Sequence, residues 1–185
     1  TLGGVIFVRA FQGAENAAVM GLAVQAYQIF KAVTNLVNRI VRPHINDRWG
    51  VTPRFIVKLT VFHGTFLLGW FALGALGLFV TVTGFFRPEF HRAIYGGLIL
   101  LAAGVISATA DVFNEYLVKF NRTGRIALSY AAAATFFIMV NTVCGAFLDI
   151  EGVCVSVLAS QGVLLIANIL ATGGRAKEKV FDLSR

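Results

Sequence analysis

The chain has 185 residues, of which 57% are hydrophobic and 14% are charged, and its mean hydropathy is +0.77. Soluble domains are about 45–50% apolar and about 25% charged, so this composition indicates a polytopic membrane protein. The net charge of +7 does not indicate nucleic-acid binding, because the basic residues fall in the short gaps between apolar runs, as they do in membrane loops.

Five long apolar segments follow one another along the chain. Each can cross about 30 Å of hydrocarbon as a helix, which satisfies its own backbone hydrogen bonds in lipid. Residues 2–8 are too short to span a bilayer, and we expect them to be the end of a first helix that begins before Thr1. We therefore predict an all-α membrane bundle over residues 1–172, with full helices near 16–41, 55–85, 91–118, 124–148 and 152–172.

The basic residues predict the orientation of the bundle. Twelve of the 16 lie in or beside the gaps 42–54 and 119–125 and in the tail 173–185, and the predicted helices place all three regions on one side. Basic loops stay in the cytoplasm, so we expect a cytoplasmic C-terminal tail. Pro43 follows the first long segment, and we expect it to mark the end of that helix.

Polar residues recur along the first long segment at spacings of three and four. On a helix they fall within a sector of about 140°. Insertion of a lysine or arginine at the centre of a helix costs about 2.5–3.5 kcal/mol, so this face is not expected to meet lipid. The polar ladder comprises Gln25, Gln28, Lys31, Asn35, Asn38 and Arg42, with Arg39 beside it.

Two interpretations of the ladder remain open. The amides could join neighbouring helices through hydrogen bonds, or the face could line an aqueous cavity that opens to the cytoplasm. Lys31 favours the cavity, because an ammonium group needs an acid, water or an anionic ligand. Its candidate acids are Asp111 and, one turn later, Glu115, which are predicted at a similar depth on the third helix near Asn114. Such a pair could lock two helices together or titrate during transport.

Other side chains give weaker signals. His63 is interpreted as a packed histidine rather than a proton carrier. Cys144 and Cys154 flank one hinge and could form a disulfide or remain two apolar cysteines. The glycines of the second and third helices predict close packing of helix backbones. These are Gly69, Gly74, Gly77, Gly96, Gly97 and Gly104.

Sequence motifs for enzymatic chemistry are not found in the chain. No two histidines have the spacing of a haem or zinc pair, and there is no phosphate-binding loop, nucleophile elbow or metalloprotease motif. We therefore predict that the protein is not an enzyme and holds no cofactor or metal.

Four stretches of the sequence carry recognisable motifs. They are the run GLAVQAYQIF over Gly21–Phe30 with Arg42-Pro-His-Ile some twelve residues after it, Arg87-Pro-Glu-Phe, the run from Phe120 to Ser129, and the hairpin from Asn141 to Ser160. These stretches resemble patterns of the polysaccharide flippases of the multidrug/oligosaccharidyl-lipid/polysaccharide exporter superfamily, where the first is similar to a helix and the basic loop after it. The hairpin is the best match, although it lacks the usual proline and has Cys154-Val155 where the family has two alanines.

The resemblance covers about residues 5–172 and implies one six-helix half of a transporter. It implies a flippase that moves a lipid-linked anionic oligosaccharide by alternating access, in a bacterial inner membrane. The ladder residues and Arg39 would then bind the substrate, and Asp111 or Glu115 would be a counter-ion or coupling site. Expected partners are membrane lipid, the lipid-linked substrate and the other half of the transporter. The alternative is a non-catalytic structural subunit of a larger membrane complex.

Overall fold

The computed structural model describes residues 5–6, 8–10, 13–46, 53–144 and 149–173, and no strand occurs within these ranges. Five long helices form the bundle. A short 3-10 helix at Pro88–His91 joins the second to the third. The helices are α1 (Ala14–Asn46), α2 (Pro53–Phe85), α3 (Arg92–Lys119), α4 (Thr123–Cys144) and α5 (Ile150–Gly173).

The predicted fold class is confirmed, because the described chain is an all-α polytopic membrane bundle. Within the described ranges, four stretches are long and apolar enough to cross a membrane: Lys58–Phe85, Pro88–Lys119, Thr123–Thr142 and Ile150–Thr172. The fifth long helix, α1, has 33 residues but is not among these four. Its length suffices for a bilayer, and its polar ladder makes it less apolar than the others.

Helix α3 is the centre of the bundle and packs against α1, α2 and α5, while α4 packs mainly against α5. Facing residues give the directions of the helices. Gly74 of α2 lies near Leu101 and Leu78 lies near Gly97, so α2 and α3 are antiparallel. Helix α1 runs parallel to α3, because Ala23 lies near Gly96 and Phe30 near Gly104. One end of the bundle therefore holds Arg87, and the opposite end holds Asn121. These are called the Arg87 end and the Asn121 end.

Glycines set the distance between the three central helices. The ring of Phe30, which is 2% exposed, lies between Gly74 of α2 and Gly104 of α3. A Cβ atom at Gly104 would lie only 2.7 Å from Cδ1 of Phe30. The expectation of close packing is therefore met at Gly104, but not at Gly69 or Gly77, where a Cβ would have no other atom within 4 Å.

Polar contacts join three helices at one end of the bundle. At the Asn121 end, the amides of Asn121 and Arg122 donate to the carbonyls of Val118 and Leu117, and Asn121 has a φ of 53°. This is the hydrogen-bond pattern of a Schellman motif, in which asparagine is one of the few residues suited to a left-handed conformation. Arg125 then donates to the carbonyl of Ala171 at the end of α5 (2.8 Å). These bonds join the α3–α4 turn to α5.

Helix α1 does not end at Pro43, as the sequence suggested, but continues to Asn46. A proline removes the helical hydrogen bond to the carbonyl four residues earlier, and its ring crowds that carbonyl. Here the carbonyl belongs to the exposed Arg39, where the helix can bend slightly and water can replace the lost bond. The predicted last residues of α4, 145–148, and the predicted tail, 174–185, lie outside the described residues.

We expect Gly104→Ala to destabilise the protein by about 1–3 kcal/mol, because the new methyl group would overlap the buried ring of Phe30. Gly77→Ala is the matched control, since its methyl group would point into open space and alanine is the better helix former. Denaturant unfolding of both variants in detergent would test this. Equal stability of the two variants would contradict the packing described for Phe30.

Candidate functional site

A polar groove runs between α1 and α4, and its floor is formed by α3 and α5. It consists of three adjoining hollows of about 440, 410 and 220 Å³, which share Asn35, Tyr130, Val157 and Gln161. The polar groove is lined by these polar side chains: Tyr27, Gln28, Lys31, Asn35, Asn38, Arg39, Asp111, Asn114, Glu115, Tyr130, Ser160 and Gln161.

Lys31 lies halfway along α1 and is half-buried. Its Nζ donates to Oγ of Ser107 on α3 (3.1 Å) and lies 6.0 Å from the centroid of the Tyr27 ring. A hydroxyl and an aromatic face do not neutralise an ammonium group. The positive charge of Lys31 therefore remains available to water or an anion within the groove.

Asp111 lies one helical turn beyond Ser107, and its Oδ1 accepts hydrogen bonds from Asn114 Nδ2 (3.4 Å) and Tyr130 Oη (3.5 Å). Lys31 thus donates to Ser107 and not to Asp111, although the two charged groups are close enough to interact electrostatically.

Asn168 connects the Asp111 network to α5. It has no exposed surface, and its Nδ2 donates to Asn114 Oδ1 (2.9 Å) and to the carbonyl of Ala110 (3.4 Å). Asn114 also donates to Tyr130 Oη (3.1 Å). Side chains from α3, α4 and α5 therefore meet at one point beside the groove. Such a network holds the carboxylate of Asp111 in a fixed position.

The structure brings together most of the residues that the sequence singled out. Of the ladder, Gln28, Lys31, Asn35, Asn38 and the adjacent Arg39 line the polar groove, together with the predicted Asp111 and Glu115. Gln25 does not, because it lines a separate apolar groove between α1 and α2. The helical backbone at Arg42 is described, but its side chain lies outside the described part of the chain.

Sequence reasoning missed the contributions of α4 and α5, above all Tyr130, Gln161 and Asn168. Each is a polar residue within an apolar membrane-spanning stretch, and this signal alone could have nominated them. Ser107 was missed as well, because a lone serine in a helix is more often a packing residue.

The weaker candidates lie away from the groove. His63 is 2% exposed, and neither of its ring nitrogens has a partner within the described residues. Cys154 is a buried free thiol against Met20 Sδ (3.5 Å), while the side chain of Cys144 is outside the described set. The described residues contain no cluster of three or more His, Cys, Asp or Glu side chains that could hold a metal ion.

In comparisons with protein-family models, curated proteins and solved structures, nothing matches this chain.

The polar groove should be wet. In a background with Cys144→Ala and Cys154→Ala, we expect Gln28→Cys and Asn35→Cys to react with a water-soluble, membrane-impermeant thiol reagent. Ile29→Cys is the matched control: Ile29 is 68% exposed but lies on the other side of α1, towards the apolar groove. A thiol in hydrocarbon does not ionise, so Ile29→Cys should be labelled at least about tenfold more slowly than the two cysteines in the polar groove. Equal labelling of the three cysteines would show that the groove is not aqueous.

Proposed function

We propose that this chain forms part of a membrane transporter, a flippase that moves a lipid-linked anionic oligosaccharide by alternating access. The observation that carries the proposal is the polar groove, which reaches the middle of α1 and holds an ammonium group that binds no carboxylate among the described residues. A purely structural interface within lipid would be expected to pair that charge. The resemblance of the sequence to polysaccharide flippases supports the same function.

The chemistry of the groove suits such a substrate. Lys31 and Arg39 offer cationic donors for a phosphate or pyrophosphate group. Gln28 and Asn35 are exposed in the groove and make no hydrogen bond to other described side chains, so their amides are free for sugar hydroxyls. Asn38 borders the groove with both amide atoms buried and unpartnered. Gln25, which lies outside the polar groove, is not part of this proposed site.

The positions along α1 suggest an order of contacts. Arg39 lies about 12 Å nearer to the Asn121 end than Lys31 does. If the Asn121 end is cytoplasmic, as its basic residues favour, an anionic head group would meet Arg39 first and Lys31 at mid-membrane. We also propose that the protein lies in a bacterial inner membrane with its C-terminus in the cytoplasm.

Asp111 is the candidate counter-ion or coupling site. Its network with Asn114, Tyr130 and Asn168 fixes the carboxylate one helical turn from the present contact of Lys31. We propose that Lys31 exchanges between Asp111 and the substrate as the transporter changes conformation. Glu115 lies one further turn along α3 and lines the same groove nearer the Asn121 end.

We expect Lys31→Gln to lower substrate movement by at least about tenfold, since a charge-assisted hydrogen bond is worth about 1.5–3 kcal/mol. The measurement is the fraction of a fluorescent, pyrophosphate-linked oligosaccharide lipid that reaches the opposite leaflet of reconstituted vesicles, with any missing half of the transporter present. Lys58→Gln is the control, because Lys58 is exposed on α2 outside the groove. Lys31→Arg should keep part of the activity. Wild-type activity in Lys31→Gln would rule out the proposed role.

The second candidate is a non-catalytic structural subunit of a larger membrane complex. It is favoured by the exposure of Gln28, Asn35 and Arg39, because lipid cannot cover these side chains whereas another protein chain can. Purification in a mild detergent discriminates between the two functions. Stoichiometric co-purification with other membrane subunits, together with loss of thiol labelling at Asn35→Cys in that complex, would favour the structural role.

A further inference from the structure

A second groove lies on the opposite side of α1, between α1 and α2. It has a volume of about 460 Å³, within the range of about 300–1,000 Å³ that is usual for ligand pockets. Its walls are almost wholly apolar. They include Leu22 and Ile29 of α1 and Leu73, Gly77 and Leu78 of α2. Because this part of α2 belongs to a stretch long and apolar enough to cross a membrane, we expect the mouth of the apolar groove to face lipid.

The apolar groove covers only half of the membrane. The spanning stretch Lys58–Phe85 has 28 residues. It is therefore about 42 Å long, close to the thickness of a bilayer with its headgroup regions included, which is about 40–45 Å. The groove follows α2 from Phe86 to Trp70, which lies near the middle of that stretch. There the stacked rings of Phe30 and Trp70, with centroids 6.5 Å apart, close it.

A cation lies at the open end of the groove. Arg87 directly follows Phe86, is exposed, and has no ion-pair partner within the described residues. Its neighbour Arg92 is different, because it pairs with Glu151 of α5 at 3.5 Å. Arg87 is therefore placed to contact a phosphate at the headgroup level, directly above an apolar channel that ends near the bilayer centre.

We infer that the apolar groove binds one acyl chain of an anionic phospholipid from the leaflet at the Arg87 end, with the phosphate against Arg87. The groove runs from headgroup level to the middle of the bilayer, which is the depth that an acyl chain of one leaflet occupies. A partner membrane helix would cross both leaflets and would need a seam along the whole of α1 and α2, but Phe30 and Trp70 close this one halfway. A lipid tail longer than the thickness of one leaflet would also be stopped by the rings of Phe30 and Trp70. This inference is independent of the proposed transport function.

Trp70 reports on the groove that it lines. The chain has two tryptophans, Trp49 and Trp70, so Trp49→Phe leaves Trp70 as the sole tryptophan, which is excited selectively at the red edge of the absorption band. The protein is reconstituted in phosphatidylcholine vesicles that contain a minor fraction of phosphatidylglycerol brominated on its acyl chain, and quenching of Trp70 is measured. We expect an apparent affinity about fivefold higher than for brominated phosphatidylcholine, since one basic residue at the surface favours an anionic lipid by about that factor.

Two pairs of variants separate a bound lipid from random contact with the bilayer. Gly77→Leu is expected to fill the groove, because Gly77 lines it and a Cβ there would have open space within 4 Å into which the side chain can extend. Its control is Gly69→Leu, an equally open position on α2 that does not line the groove. Arg87→Gln should abolish the preference for phosphatidylglycerol over phosphatidylcholine, whereas Arg92→Gln should keep that preference.

If the lipid binds in the groove, brominated phosphatidylglycerol should quench Trp70 strongly in the single-tryptophan protein, in Gly69→Leu and in Arg92→Gln. It should quench Trp70 only weakly in Gly77→Leu. Thermal unfolding of each variant in the same vesicles confirms that all are folded. The inference is overturned if brominated phosphatidylcholine and phosphatidylglycerol quench equally. It is also overturned if Gly77→Leu and Gly69→Leu behave alike, because Trp70 would then sense only the average lipid composition.

Discussion

Hydrocarbon solvates neither an ammonium group nor a primary amide, and this constraint decides how α1 can be placed in the bundle. The side of α1 with Ala23, Phe30 and Thr34 is buried against the core, whereas Ile29 and Ile40 are each 68% exposed, as suits a surface that meets lipid. The remaining side carries Lys31 and the exposed amides. It is left open by α4, which packs mainly on α5 and not on α1. The polar groove exists because no apolar surface could cover that side.

The close packing beside the groove gives the polar groups defined positions. Because Gly104 has no side chain, the ring of Phe30 can lie directly against α3. Lys31, the next residue, is thereby brought within 3.1 Å of Ser107. A charged group held on a rigid, well-packed helix keeps its geometry better than one on a loop. The apolar contact at Phe30 and the polar contact at Lys31 are thus two consequences of the same approach of helices.

The sequence predicts the fold class and the polar side of α1, because composition, length and helical spacing are local properties. Gln25 is different, since it lies at the edge of the polar sector. Whether it faces the polar or the apolar groove depends on where α2 and α4 stand, which spacing along α1 does not contain. Tyr130 and Asn168 show the same limit: each is an isolated polar residue, and only the packing of α3, α4 and α5 brings both to Asn114. Pro43 was misjudged because a helix can continue past a proline in its last turns. The carbonyl four residues before the proline loses its helical hydrogen bond, but it can bond to water there.

The amides of the bundle divide into two groups by their exposure, and this division bears on the two interpretations of the ladder. Asn141 and Asn168 are 0% exposed and bond across helices, Asn141 to Ser156 at 2.7 Å and Asn168 to Asn114 at 2.9 Å. These asparagines join α4 to α5 and α5 to α3, as amides between membrane helices commonly do. Gln28 and Asn35 of α1 are exposed and bond to no described side chain. Helix association therefore accounts for Asn141 and Asn168, but it leaves Gln28 and Asn35 unexplained. An unpaired amide at membrane depth is stable only in contact with water, a polar ligand or another protein chain, so we expect one of these to cover the groove beside α1.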